Sequence, residues 1–206
     1  MKKIVTVALF ALSMASATAD AEIAPDVLAR SVTDEVMTIV RADKELQSGN
    51  ALRLAQLVEA KILPHFNFTH MTQLALGRNW RQATPEQQSL LIDEFRALLV
   101  RTYTTAFMQS RDQTVDYKPL RMAPTDSEVV VKSLIRQPAG QPVTIDYSME
   151  KLGDTWKVYD VRIEGISLVA NYRNTFNSEI QKNGMDGLIK ALADKNRALG
   201  ARIVER

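Results

Sequence analysis

VTIDYSMEKLGDTWKVYDVRIEGISLVANYR, residues 143–173, decides the fold. Val143, Ile145, Tyr147 and Met149 alternate with Thr144, Asp146, Ser148 and Glu150, the period-two pattern of a strand with one apolar and one polar face. Gly153-Asp154 supplies the positive-φ positions of a two-residue hairpin loop, so a second strand is expected over 155–163. At Gly165 the pattern changes to helical, and Ser167 reads as the hydroxyl cap of the helix that follows. A hairpin with one apolar side must bury that side against another layer.

Working outward, further strands are expected over 114–122 and 128–137, divided by Pro124-Thr125-Asp126 and Pro138-Ala139-Gly140. Such short links make neighbours antiparallel. Upstream, Leu28, Val32, Val36, Ile39 and Val40 recur at helical spacing over 26–46, until Ser48-Gly49-Asn50 interrupts. A second helix runs to Leu63 and ends at Pro64, and a short third one over 67–76 stops at Gly77. Thr84-Pro85-Glu86-Gln87 combines a hydroxyl cap, a proline at the first helical position and a capping-box glutamine. It launches the longest helix, 85–110, whose Leu91, Phe95, Leu98, Leu99, Thr102, Tyr103, Ala106 and Phe107 form an apolar stripe. Helices over 167–182 and 186–199 close the chain. Helices, then antiparallel strands, then helices is an α+β pattern with helices covering one sheet face.

The first residues read as a secretory leader: Met1-Lys2-Lys3, an apolar run over 4–14, then Ala15, Ala17, Ala19 and Ala21. That run is well short of the roughly 20 residues of a spanning helix, so a signal peptide over 1–21 and cleavage after Ala19 or Ala21 are expected. What remains, 22–206, reads as a single domain, with helical parts over 22–112 and 167–200 and a sheet over 113–164. The absence of cysteine leaves stability to the core, without disulfides or thiolate metal sites. Taking Lys2 and Lys3 from 26 basic residues and Asp20 from 24 acidic ones leaves a net charge of about +1. Such neutrality argues against nucleic acid as a partner.

Chemistry is sparse. His65 and His70 are the only histidines, their spacing puts them on different helix faces, and no H-E-x-x-H or carboxylate cluster joins them, so no metal is expected. Gly165-Ile166-Ser167 lacks the second glycine of a nucleophile elbow. Asp146 and Asp160 could serve as an acid/base pair in a cone-shaped pocket, but Asp146 falls on the polar strand phase. No catalytic residue is assigned. Arg78, Arg81, Arg162 and Arg173 could meet phosphate or an acidic docking surface, against the plainer reading of a solvated face.

Apolar surface is left. From periodicity alone, the sheet stripe and the stripe from Phe95 to Phe107 pack on each other as ordinary core. A resemblance points elsewhere. In order along the chain stand Leu63-Pro64, Leu76-Gly77, W-x-x-A-T-P from Trp80 to Pro85, Phe95-Arg96 with Leu99, Thr102-Tyr103, Asp146-Tyr147, W-K-V-Y-D-V from Trp156 to Val161, E-G-I-S from Glu164 to Ser167 and Asn171-Tyr172-Arg173. This combination resembles the MlaC family of periplasmic phospholipid-binding proteins, also described as toluene-tolerance auxiliary components of an ABC transporter.

The resemblance implies a curved antiparallel sheet in a nuclear-transport-factor-2-like architecture with a helical subdomain, its layers held apart to admit lipid tails. It implies a periplasmic carrier that moves glycerophospholipid between an outer-membrane lipoprotein-porin complex and an inner-membrane ABC transporter, without a cofactor, and so maintains outer-membrane lipid asymmetry. Extending that picture by strand and helix phase, Val129, Val131, Val143, Ile145, Tyr147 and Met149 would floor the pocket. Leu99, Tyr103 and Phe107 would roof it, with Val161 and Ile166 near its mouth. The alternatives are a small-molecule enzyme on the same scaffold and a periplasmic adaptor with a filled core.

Overall fold

The computed structural model of the chain describes residues 23–108, 113–137 and 140–204; the expected leader lies outside them. One antiparallel sheet runs in chain order through β1 (Thr114–Tyr117), β2 (Glu128–Arg136), β3 (Val143–Leu152), β4 (Thr155–Ile163) and β5 (Ile166–Ser167). β3 and β4 have the expected ends. The expected strand 114–122 stops early: Lys118 still donates to the Lys132 carbonyl at 2.9 Å, but Pro119 has no N–H to continue the ladder.

In β2 and β3, Val129, Val131, Ser133 and Ile135 stand opposite Met149, Tyr147, Ile145 and Val143, so the apolar phases of both strands share a face. β4 stays in phase through a bulge. Tyr147 faces Val161 but Met149 faces Val158, which inserts one extra residue on β4 opposite the Ser148–Met149 step. Trp156, Val158, Val161 and Ile163 thereby all reach the inner face, which strict alternation would forbid.

The turns differ from each other. Gly153 has φ of +62° while Asp154 keeps a negative φ, so only the first position needs glycine, as in a type II′ turn. At Glu164 and Gly165 both φ values are positive, +50° and +79°, the signature of type I′. Gly165 therefore closes a second hairpin before the last helix starts, which the reading of a direct strand-to-helix switch had omitted.

Around the sheet lie α1 (Pro25–Ala42), α2 (Lys44–Gln47), α3 (Ala51–Lys61), α4 (Phe68–Leu76), α5 (Pro85–Met108) and α6 (Leu168–Val204). The expected helix 26–46 is divided at Asp43, whose carboxylate accepts from the Glu45 N–H at 2.9 Å and restarts the chain as α2. α5 begins with the expected capping box: Gln87 Oε1 accepts from the Thr84 N–H at 3.0 Å and Thr84 Oγ1 accepts from the Gln87 N–H at 3.2 Å. α6 consists of the two expected C-terminal helices, which meet at Gly184, where φ of +72° and ψ of −174° break the helical path. Ser167 Oγ accepts from the Ala170 N–H at 3.0 Å, as its reading as a cap requires.

The buried apolar side chains form three clusters. One joins α4, α5 and α6 around Phe95 and Phe176, whose rings meet edge-on at 5.1 Å. A second joins α1, α2 and α3 around Val36, Leu46 and Leu54. The third lies on the sheet around Val131, Met149 and Trp156. Their separation positions the site described below.

Phe95 is fully buried and packs edge-on against both Tyr172 and Phe176. Phe95→Ala is expected to cost about 3–5 kcal/mol of stability. The check is chemical denaturation, where the midpoint should fall with the m-value unchanged.

Candidate binding cavity

Where the three clusters meet, the chain forms a half-open cavity of about 360 Å³. Met71 and Leu99 of the first cluster, Val58 and Leu63 of the second and Val161 of the third all reach its wall. The sheet side is Val115, Ile135, Ile145, Tyr147, Val161 and Ile163. Opposite stand Thr33 and Met37 of α1, Ile62, Phe66, Phe68, and Val100 with Tyr103 of α5, closed by Gln113 and Leu168. Among the described residues, none that lines it carries a charge. An apolar cavity of about 150 Å³ already stays dry and takes up benzene, so this one suits a larger hydrocarbon.

Two polar fastenings flank the cavity and fix the spacing of its walls. On the β1 side, the Tyr117 hydroxyl lies 2.6 Å from Thr33 Oγ1 and donates to the Ala29 carbonyl at 3.1 Å, with the Arg30 guanidinium over its ring. This ties α1 to the sheet. On the β4 side, Asn67 Nδ2 and His70 Nδ1 both reach Glu150 Oε1, at 2.9 and 2.8 Å, and the Asn67 N–H donates to the Val158 carbonyl at 2.8 Å. His70 also stacks on Tyr159, with centroids 4.6 Å apart. This ties the start of α4 to β3 and β4. Phe66 and Phe68, stacked at 5.7 Å on either side of Asn67, form a stiff wall between fastening and cavity.

The ionisation of the wall follows from burial. Burial raises the pKa of the Tyr147 phenol well above the ordinary range, and a lesser rise at Tyr103 has the same leading cause. Both are neutral hydroxyls at physiological pH, so the cavity offers apolar surface with a few neutral polar atoms and no acid/base pair.

The residues weighed for chemistry have structural partners. Asp160 Oδ1 accepts from the Val169 N–H at 3.3 Å at the start of α6. Asp146 stands opposite Lys132 and Arg162 on the polar phase of the sheet. Among the described residues no group of three or more His, Asp or Glu is placed to hold a metal.

Of the residues assigned to a pocket by phase, Leu99, Tyr103, Ile145, Tyr147 and Val161 lie on the cavity wall. Val129, Val131 and Met149 do not. They share the face, but Trp156 fills that end of the sheet and buries them as ordinary core. Val143 is half-buried at the start of β3 and does not line the cavity. Ile166 is 65% exposed on β5 and lies off the wall. The Phe107 side chain lies outside the described residues. Sequence reasoning missed the α1 and α3 contribution and the pair Phe66 and Phe68. Two large aromatics straddling one residue between a proline and a helix start were the available signal.

A family model described as MlaC protein matches residues 30–194. The chain is similar to the toluene tolerance protein ttg2D of Pseudomonas putida, 23% identical over 163 residues that cover 79% of this chain and 75% of the relative. It is similar to the intermembrane phospholipid transport system binding protein MlaC of Haemophilus influenzae, 23% identical over 194 residues, 92% of this chain and 91% of the relative. A solved structure, the phospholipid-binding protein from Ralstonia solanacearum in complex with a phospholipid, is 42% identical with a TM-score of 0.79. That match covers 85% of this chain and 98% of the solved one.

His65 sits beside the cavity-lining Leu63 and Phe66, and burial, followed by the nearby Lys157 ammonium, holds its imidazole below the ordinary histidine range, with Glu35 opposing. A lowered folded pKa means the folded state binds fewer protons than the unfolded one once pH falls through about 6.5, so acidification costs stability there. His65→Gln is expected to flatten that loss between about pH 7 and pH 5, read as the pH dependence of the denaturation midpoint.

Proposed function

Since the chain belongs to the MlaC family, we propose that its cavity holds the acyl chains of a glycerophospholipid and that the protein is a non-enzymatic periplasmic carrier of that lipid. The observation that carries this reading is the uncharged hollow at the junction of three apolar clusters, in a chain whose relatives are named for phospholipid binding and transport. The residues that meet the tails are Leu99, Tyr103, Ile145, Tyr147 and Val161, with Phe66, Phe68 and Met71 from the helical side. The headgroup stays in solvent, because the described wall has no charge to recognise it.

The physics of the task favours such a design. A two-chain lipid has on the order of 30 methylenes, and at about 0.8 kcal/mol each its tails cost roughly 20 kcal/mol or more to expose to water. Unassisted crossing of an aqueous compartment is then negligible. A carrier that buries the tails about as well as a bilayer does removes the barrier without trapping the cargo. Export through the leader 1–21 places the carrier in the periplasm. There it exchanges lipid with an inner-membrane ABC transporter complex and an outer-membrane lipoprotein-porin complex, maintaining outer-membrane lipid asymmetry. Energy for directional transport is supplied at the transporter, not by this chain.

Organic extraction of the purified protein followed by mass spectrometry should recover phospholipid in stoichiometric amount. Ile145→Trp fills the cavity from the sheet side and should lower that amount several-fold with the circular dichroism spectrum unchanged. Ile166→Glu, on the exposed β5, should leave it as in the wild type. A wild-type protein free of lipid would refute the carrier reading.

A further inference from the structure

Part of the helical wall of the cavity comes from a single lobe. Thr33 and Met37 of α1, Val58 of α3, and Ile62 and Leu63 just after it all reach the hollow. These elements have a core of their own, in which Val36, Val40, Leu46, Leu54 and Leu57 pack together, so residues 25–61 can move as one body.

The lobe is attached at opposite margins of the sheet. The chain leaves α3 through the 3₁₀ turn Leu63–His65 and is pinned there to β4 and β3. Lys157 Nζ donates to the Pro64 carbonyl at 2.6 Å, Phe66 bridges to Val158, and Asn67 bonds Val158 through its N–H and Glu150 through its side chain. At the other margin, on β1, Tyr117 meets Thr33 and the Ala29 carbonyl of α1. The strand order β1-β2-β3-β4 separates the two attachments by three strand spacings, about 14 Å, and the cavity lies between them. One attachment is covalent and cannot part. The other is built of neutral hydroxyls, whose bonds water replaces at little net cost when they open.

We infer that the α1–α3 lobe is the door through which lipid tails enter and leave, hinged at Leu63–His65 and latched by Tyr117; this rests on the carrier reading above. Tyr117 is a positioning residue: it stands beside the wall, not on it, and sets how often the wall opens. The other ties across the gap suit parting. Leu28 and Ala29 lay a partly buried contact on the sheet cluster, and Arg30 sits over the Tyr117 ring at 5.1 Å. The Glu59–Arg96 pair between α3 and α5 faces solvent, where ion pairs contribute little. Cargo reaches the latch through Tyr147, which lines the cavity and whose hydroxyl adjoins that of Tyr117. An occupant therefore touches the same group of hydroxyls that holds the door.

The chain has no cysteine, so Met37→Cys places a single thiol on the inner side of the door. Its labelling by Ellman's reagent, whose negative charges an apolar hollow excludes, measures opening without reference to cargo. Transfer of pyrene-labelled phosphatidylglycerol from the loaded protein to vesicles of phosphatidylethanolamine and phosphatidylglycerol measures movement of the lipid. Tyr117→Phe keeps the ring and removes only the hydroxyl, and it is expected to speed both about fivefold or more. Thr33→Val should act in the same direction, and the double variant should be no faster than Tyr117→Phe alone, since both remove one contact. Leu188→Ala, in the core of α4, α5 and α6, should leave both rates at the wild-type value. Unchanged labelling in Tyr117→Phe overturns the latch, and faster labelling with unchanged transfer overturns the lobe as the door for cargo. Equal acceleration by Leu188→Ala assigns the effect to lost stability and likewise overturns the proposal. A wild-type protein that takes up no labelled lipid refutes the carrier reading instead, and the labelling rates still decide the latch.

Discussion

The structure depends on the distance at which helices are held from the sheet. Left to the hydrophobic effect, three apolar clusters a few ångströms apart would merge and expel the space between them. Tyr117 with Thr33 on one flank, and Glu150 with Asn67 and His70 on the other, prevent that by satisfying polar groups at fixed lengths. A hydrogen bond lost in a half-buried setting leaves a desolvated partner behind, so closing the hollow would trade apolar contact for unsatisfied polar atoms. The apolar walls of the hollow forgo contact with one another, and a hydrocarbon occupant would restore it. Cargo and fold are thermodynamically one system.

The elements of this fold were legible because each carries a local reason. The ends of β3 and β4 follow from alternation and from Gly153, and the start of α5 follows from the reciprocal Thr84 and Gln87 bonds. The bulge in β4 was not legible, since the extra residue is required by the pairing with β3 and not by β4 itself. Cavity residues were half legible for a related reason. Period and phase report the face a side chain takes, not how far along the strand the facing layer lifts away. Val129, Val131 and Met149 share a face with Ile145 and Tyr147, yet one tryptophan, Trp156, fills the first end and leaves the second open. Only the three-dimensional arrangement distinguishes the two ends.

Among the described residues charge is kept off the cavity wall and sorted over the exterior. Glu150, Asp160 and Asp43 each bind backbone or side-chain donors that organise an element start or a fastening. Arg53, Arg96, Arg136, Arg162 and Arg197 each sit beside a carboxylate on the surface.

The sheet's two margins bear on how such a protein survives its own work. A chain that releases a greasy occupant shows apolar interior each time, and a long open strand would then recruit another copy into a growing fibril. Here β1 has four residues and β5 only two. The stretch of β4 beyond the reach of β5 is covered at Val158 by the Phe66–Asn67 backbone. Neighbouring molecules therefore meet only short runs of unpaired backbone among the described strands, a poor template on which to line up.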